Sequence, residues 1–186
     1  MRKLVYSMMV SLDGFVEDSN RSLDWVKIDE EIHVFSNDEA RETGVFLYGR
    51  GLYDVMAAYW PTADADPSTP GYMVEFAQIW KEKPKVVFSK TLDTVDWNSR
   101  LVRGEVAEEI TRLKREPGDD LSVGGARLAW TCIQLGLVDE YRLLIHPVLI
   151  GSGTPFFPPL EQPMSLRMVE TRTFRSGVVY VRYVPA

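Results

Sequence analysis

The residues best suited to chemistry in this chain lie in four short segments: Asp13-Gly14, Gly49-Arg50-Gly51, Ser89-Lys90-Thr91 and Gly124-Gly125-Ala126-Arg127. Three of the four contain glycine and three carry a cation. Glycine lets backbone N–H groups approach a ligand closely. A helix start adds free donors and a partial positive charge, and a guanidinium grips a phosphate through paired hydrogen bonds. The chemistry they suit is therefore the holding of an anion. Each segment also has a plainer reading, a tight turn for Gly124-Gly125 and a surface arginine for Arg50, so their joint placement decides between the two.

Other chemistries have less support. Gly49 and Gly51 have the first spacing of a dinucleotide fingerprint, but Asp54 stands where the third glycine belongs, and Phe156 takes that place after Gly151 and Gly153. No Walker pattern ending in Gly-Lys-Ser/Thr occurs. One cysteine, Cys132, and two histidines, His33 and His146, form neither a zinc set nor a Ser/His/Asp arrangement, and all three read as packing or surface residues. No metal site is expected.

Four strand-like apolar runs must position those segments: Leu4 to Val10, Val45 to Tyr48, Lys85 to Phe88 and Leu121 to Val123. They are short, β-branched or aromatic, and nearly continuous, as strands buried on both faces are. Helices are expected between them at Glu31 to Glu42, Gly51 to Tyr59, Tyr72 to Lys83, Glu105 to Glu116 and Ala126 to Leu137. The last repeats Ala126, Ala129, Trp130, Ile133 and Leu137 at spacings of three and four, an apolar stripe that packs on a sheet. Strands alternating with helices imply an α/β fold with a central, mostly parallel sheet flanked by helices. Later, Tyr141 to Ile150 reads as a further strand, and Leu166 to Phe174 and Val178 to Tyr183 as an antiparallel hairpin turning at Arg175-Ser176-Gly177, so the sheet is mixed. Thr62 to Pro70 reads as an exposed loop. In such a sheet ligands bind beyond the carboxyl ends of the strands, where the four segments lie.

Composition bounds the rest. The 186 residues, with Lys+Arg 21 against Asp+Glu 27, carry a net charge of -6. At 45% hydrophobic and 26% charged, they suit one globular domain spanning residues 1–186. The acidic balance, without a basic tract, argues against nucleic acid and anionic membranes as partners. No apolar run reaches the length of a membrane span or forms a signal peptide, so a cytoplasmic location is expected.

In this order the motifs resemble the dihydrofolate reductase superfamily, and most closely the C-terminal reductase domain of bifunctional riboflavin-biosynthesis deaminase-reductases, which also occurs as stand-alone bacterial proteins. The resemblance runs through Ser11-Leu12-Asp13-Gly14-Phe15, Leu47-Tyr48-Gly49-Arg50, Val87-Phe88-Ser89-Lys90, Val123-Gly124-Gly125, and Ile145 to Gly153 leading to Phe156-Phe157. It implies a dihydrofolate reductase-like fold, NADPH as cofactor and a homodimer. By the same resemblance, Gly49, Arg50, Gly124, Gly125, Ala126 and Arg127 surround the pyrophosphate, Ser89 and Lys90 meet the adenosine 2′-phosphate, and the segment from Ser7 to Gly14 lies along the nicotinamide. The zinc deaminase half has no counterpart, since no His-x-Glu with Pro-Cys-x-x-Cys occurs.

The expected activity is hydride transfer to a C=N or C=O group of a small pyrimidine-like, pterin-like or carbonyl substrate, as in the 5-amino-6-(5-phosphoribosylamino)uracil reductases. Dihydrofolate reductases carry a carboxylate on the helix after the first strand. Here Asp29, Glu30 and Glu31 cluster at about that place, and Glu30 and Asp13 are the candidate catalytic acids. Phe15, Tyr53, Tyr59 and Trp60 are candidates to line the substrate pocket by stacking, beside ordinary core packing. Two alternatives stand beside this reading: a nucleotide-binding or scaffold protein that keeps the fold without turnover, and a pterin or folate reductase.

Overall fold

The computed structural model describes residues 1–186. Ten strands are formed: β1 (Leu4–Ser11), β2 (Phe15–Asp18), β3 (Val45–Gly49), β4 (Lys85–Phe88), β5 (Ser99–Val102), β6 (Leu121–Gly124), β7 (Glu140–His146), β8 (Gly153–Pro155), β9 (Leu166–Thr173) and β10 (Val179–Pro185). The helices are α1 (Glu30–Glu42), α2 (Arg50–Tyr59), α3 (Gly71–Glu82), α4 (Val106–Arg115) and α5 (Ala126–Gln134). Eight strands make the main sheet in the order β5-β4-β3-β6-β1-β7-β10-β9, and β2 pairs with β8 in a separate ribbon. The six strands from β5 to β7 are parallel, while β10 runs antiparallel to β7 and β9 antiparallel to β10. This is the mixed, mostly parallel sheet read from the apolar runs.

The alternation of a strand sends successive side chains to opposite faces, and β3 shows it directly. Val45 and Leu47 join the core beneath α4 and α5 with Leu4, Tyr6, Ile110 and Ala129, whereas Phe46 and Tyr48 join a second core with Trp80 of α3. Leu47 is fully buried, and its truncation to Ala would cost about 2–5 kcal/mol. Helix α1 covers the second face further along, packing Ile32 and Phe35 near Leu144 and Tyr180. Helices therefore leave the neighbouring strands β1 and β6 for opposite faces of the sheet.

That divergence opens a crevice. β1 pairs with β6 only as far as Tyr6–Val123, but with β7 as far as Ser11–His146. From Ser7 onward the β6 side of β1 has no ladder partner, beside the point where Gly124 and Gly125 turn into α5.

Several boundaries depart from expectation. β7 stops at His146 rather than Ile150, because Pro147 has no N–H to extend the ladder. α5 ends at Gln134, where Gly136 turns the chain at φ +65. The first four residues of the expected Thr62–Pro70 loop belong to a 3-10 helix, Trp60–Ala65. The short strands β2, β5 and β8 were not foreseen. No helix is long and apolar enough to cross a membrane.

Candidate functional site

The four segments follow parallel strands at one edge of the sheet, where those after β3, β4 and β6 stand level and Asp13-Gly14 lies further out, beyond the end of β1 at Ser11. Gly49 stands opposite Phe88 in register, and Tyr48 opposite Gly124, so the starts of α2 and α5 lie side by side. Gly49 caps α2 and Gly125 caps α5, neither with a side-chain hydrogen bond, and neither helix has an acidic residue in its first turn. Two sets of unsatisfied N–H donors and two positive dipole ends therefore face the same space.

The two adjacent glycines are required for different reasons. A Cβ on Gly124 would lie 2.5 Å from Leu52 Cδ2 of α2, so the small residue permits close helix packing. Gly125 has φ +87, a backbone conformation that L side chains rarely adopt. Gly49, at φ -76, has an ordinary backbone with room for a side chain.

Cations surround this space. Arg50 donates from Nη1 to Thr91 Oγ1 at 2.8 Å and pairs loosely with Asp54 at 3.3 Å, while Lys90 and Arg127 are exposed without a carboxylate partner. The loop that presents Lys90 is held from several sides. Ser89 Oγ accepts from the N–H groups of Thr91 and Leu92 at 3.2 and 3.1 Å, and Arg103 donates to the carbonyls of Lys90 and Leu92. Arg103, at the end of an unforeseen strand, was missed from the sequence.

Tyr53 belongs to the same scaffolding. Its hydroxyl accepts from Asp96 N–H at 2.8 Å and its ring is buried against α3, so it fastens the loop. Trp60 likewise packs on His33 of α1 and Phe76 of α3, with Tyr59 edge-on beside it. Phe15 remains at the rim, half-buried at the start of β2, opposite Pro155. Gly14, at φ +92, makes the preceding turn, and its carbonyl accepts from Phe156 N–H.

Asp13, a candidate acid, is engaged by hydrogen-bond donors from two segments. It accepts from Ser11 Oγ at 2.6 Å and from the N–H groups of Ile150 and Gly151, the latter at 2.7 Å. The Ser11 hydroxyl, followed by those backbone donors, holds its carboxyl below the usual carboxylate range. These contacts make Asp13 a latch for the 150–151 loop. The carboxylates opening α1 are similarly divided. Asp29 caps the helix through Ile32 N–H, Glu31 pairs with Arg172 and Arg175 N–H, and Glu30 is exposed.

A carboxylate does face the sheet from α1, but it is Glu39. It pairs with Arg142 of β7, which also holds Glu140, and burial pushes the Glu39 carboxyl upward against the opposing pull of Arg142. The sequence carried a signal for it: Ile32, Phe35, Ser36, Glu39 and Ala40 recur at spacings of three and four along α1, and Glu39 is the charge among them.

The fold is dihydrofolate reductase-like. Dihydrofolate reductase from Enterococcus faecalis, complexed with NADP(H), superposes with a TM-score of 0.65 at 12% identity over 98% of this chain and 96% of that one. The family model of the RibD C-terminal domain matches residues 2–180, and the chain belongs to that family. It is 39% identical to YyaP of Bacillus subtilis (strain 168), an uncharacterized protein, over 98% of this chain and 94% of that one. A protein from Shewanella sp. PV-4 ascribed to riboflavin biosynthesis superposes with a TM-score of 0.74 at 20% identity, over 99% of each chain. The Thermotoga maritima deaminase/5-amino-6-(5-phosphoribosylamino)uracil reductase gives 0.68 at 14% identity, over all of this chain and 57% of that one.

Proposed function

We propose that this chain is a reductase that binds NADPH on the rim and reduces a C=N or C=O group of a small heterocyclic or carbonyl molecule. The observation that carries the reading is the meeting of two uncapped helix starts, the Gly124-Gly125 turn and the unpaired cations Lys90 and Arg127 beside the β1–β6 crevice. Membership of a family of reductase domains supports it. When bound, the nicotinamide supplies the hydride. Gly49, Arg50, Gly124, Gly125, Ala126 and Arg127 would hold the pyrophosphate, Ser89 and Lys90 the 2′-phosphate, and Ser7 to Gly14 would align the ring along the crevice. The chain itself orients the two reactants and excludes water.

A homodimer is part of the same reading. The edge strand β9 exposes Met168 and Val169 together with one unpaired backbone edge, and a second copy can cover it. Light scattering that gives the mass of one chain would overturn that part.

NADPH oxidation, followed at its absorbance band with aminopyrimidine, pterin and simple carbonyl substrates, tests the activity. Turnover of one class is expected. Binding without turnover on any of them would replace the reductase by a nucleotide-binding scaffold, and tight antifolate binding would favour a pterin or folate reductase.

A further inference from the structure

Two buried polar atoms at the carboxyl end of β7 have no hydrogen-bond partner in the chain, Nε2 of His146 and Nε1 of Trp25. Their rings meet edge to face, with centroids 5.7 Å apart and planes at 85°. A buried polar atom left unpaired destabilises a fold, and each one in a native structure calls for an explanation. His146, only 2% exposed, is tolerated there while it stays uncharged, because burial disfavours its cation.

Trp25 is also what fastens its own segment. From Asn20 to Ile28, between β2 and α1, every hydrogen bond stays between Asp18 and Val26: Asn20 and Ser22 N–H to Asp18 Oδ1, Asp24 N–H to Ser22 Oγ, and Val26 N–H to the Leu23 carbonyl among them. Leu23 and Ile28 are exposed, so half-buried Trp25 and Val26 are the apolar anchors, and Trp25 is the one seated on His146. A segment held by so few contacts opens at low cost. Leu144, two residues before His146, shares a core with Ile32 of α1, so His146 faces the same side. In the ladder it stands opposite Ser11, the last residue of β1. The segment therefore lies over the ends of β1 and β7, beside the crevice.

No counter-charge stands ready for a protonated His146. Ser11 is uncharged, Asp13 beyond it is engaged by Ser11, Ile150 and Gly151, and Pro147 to Gly153 contains no charged residue. In the covering segment Arg21, Asp24 and Lys27 are exposed. On the side of α1 and the hairpin, Asp29 caps the helix, Glu31 holds Arg172 and the Arg175 N–H, Glu30 is exposed, and Tyr180, raised further by burial, stays neutral.

We propose that the segment from Asn20 to Ile28 is a cover over this end of the crevice, latched by Trp25 on uncharged His146 and released when His146 takes up a proton. What the cover means for substrate access rests on the reductase reading; the latch itself does not. A proton on His146 needs water around it, and water reaches the ring once Trp25 moves away. The open form takes the proton near the ordinary value of 6.5 and the closed form below it. The latch is therefore full above that value, and below it the open-to-closed ratio rises by up to about tenfold per pH unit until the lowered closed value is reached.

The test is the emission of Trp25, isolated as the difference between the protein and its Trp25→Phe variant. From about pH 7.5 to about pH 5 it should shift to the red and become more open to acrylamide quenching, with the far-UV circular dichroism unchanged. His146→Phe keeps a ring under Trp25 but takes no proton, so there the Trp25 emission, measured the same way, should not respond to pH. In His33→Gln the remaining imidazole is His146, and its NMR titration should share its midpoint with the emission, which decides the matter even if His146→Phe fails to fold. An emission that does not move with pH, a shift that persists in His146→Phe, a shift that accompanies loss of circular dichroism, or two separate midpoints overturns the proposal. The reductase reading fails separately, by the absence of NADPH binding with the pH response intact.

Discussion

Replacement of Lys90 by Ala isolates one phosphate from the rest of the cofactor. Lys90 is exposed, has no carboxylate partner, and is carried on a loop fixed by Ser89, Arg103 and Tyr53, so its loss should leave the loop in place. A charge-assisted hydrogen bond contributes about 1.5–3 kcal/mol when shielded. Exposure screens this one toward about 1 kcal/mol, which is roughly a fivefold change in Kd. Because the group is assigned to the 2′-phosphate, NADPH should weaken by that factor while NADH stays within experimental error. Fluorescence titration of both nucleotides against both proteins measures the difference. Equal weakening of NADPH and NADH, or no weakening of either, would refute the placement of Lys90.

Further outcomes follow from the other groups. Asp13→Asn should preserve turnover with a competent substrate, because Asp13 is a latch for the 150–151 loop, yet it should speed amide exchange at Ile150 and Gly151; loss of turnover with unchanged exchange would contradict this. Burial holds the His33 and His146 rings below the ordinary value of 6.5. The unfolded chain therefore takes up those protons first, so stability is full above about pH 6.5 and declines as pH falls toward the lowered folded values. Melting midpoints against pH should show that decline. His146→Phe should flatten it and also raise stability by about 1–3 kcal/mol, since Nε2 is buried without a hydrogen bond in the chain; a lower midpoint at pH 7.5 would contradict the relief.

Local pattern carried much of the architecture. The runs around Val5, Leu47, Val87 and Val123 are apolar on both sides of the pleat because helices cover both faces, which makes them legible as buried parallel strands. β5 was missed because Ser99-Arg100-Leu101-Val102 lies at the sheet edge and has only two apolar residues, and β2 and β8 because each is stabilised by the other from 137 residues away. The rim was legible for a topological reason: glycine and cations after each strand converge once the strands are parallel. The carboxylates were not, because their roles depend on long-range partners. Asp13 is defined by N–H groups at 150 and 151, and Glu39 by an arginine 103 residues further along the chain. Tyr53 shows the same limit, since the Asp96 backbone that binds its hydroxyl lies 43 residues further on.

The claim on which the rest depends is that the rim holds a phosphorylated dinucleotide, and thermal melting tests it most directly. A ligand that binds only the folded chain adds about 2.7 kcal/mol at a hundred times its Kd. For a chain of this size that corresponds to a rise in Tm of about 5–10 °C. NADPH should produce that rise, and NADH at the same concentration a smaller one. A midpoint unmoved by saturating NADPH would contradict the assignment of the rim.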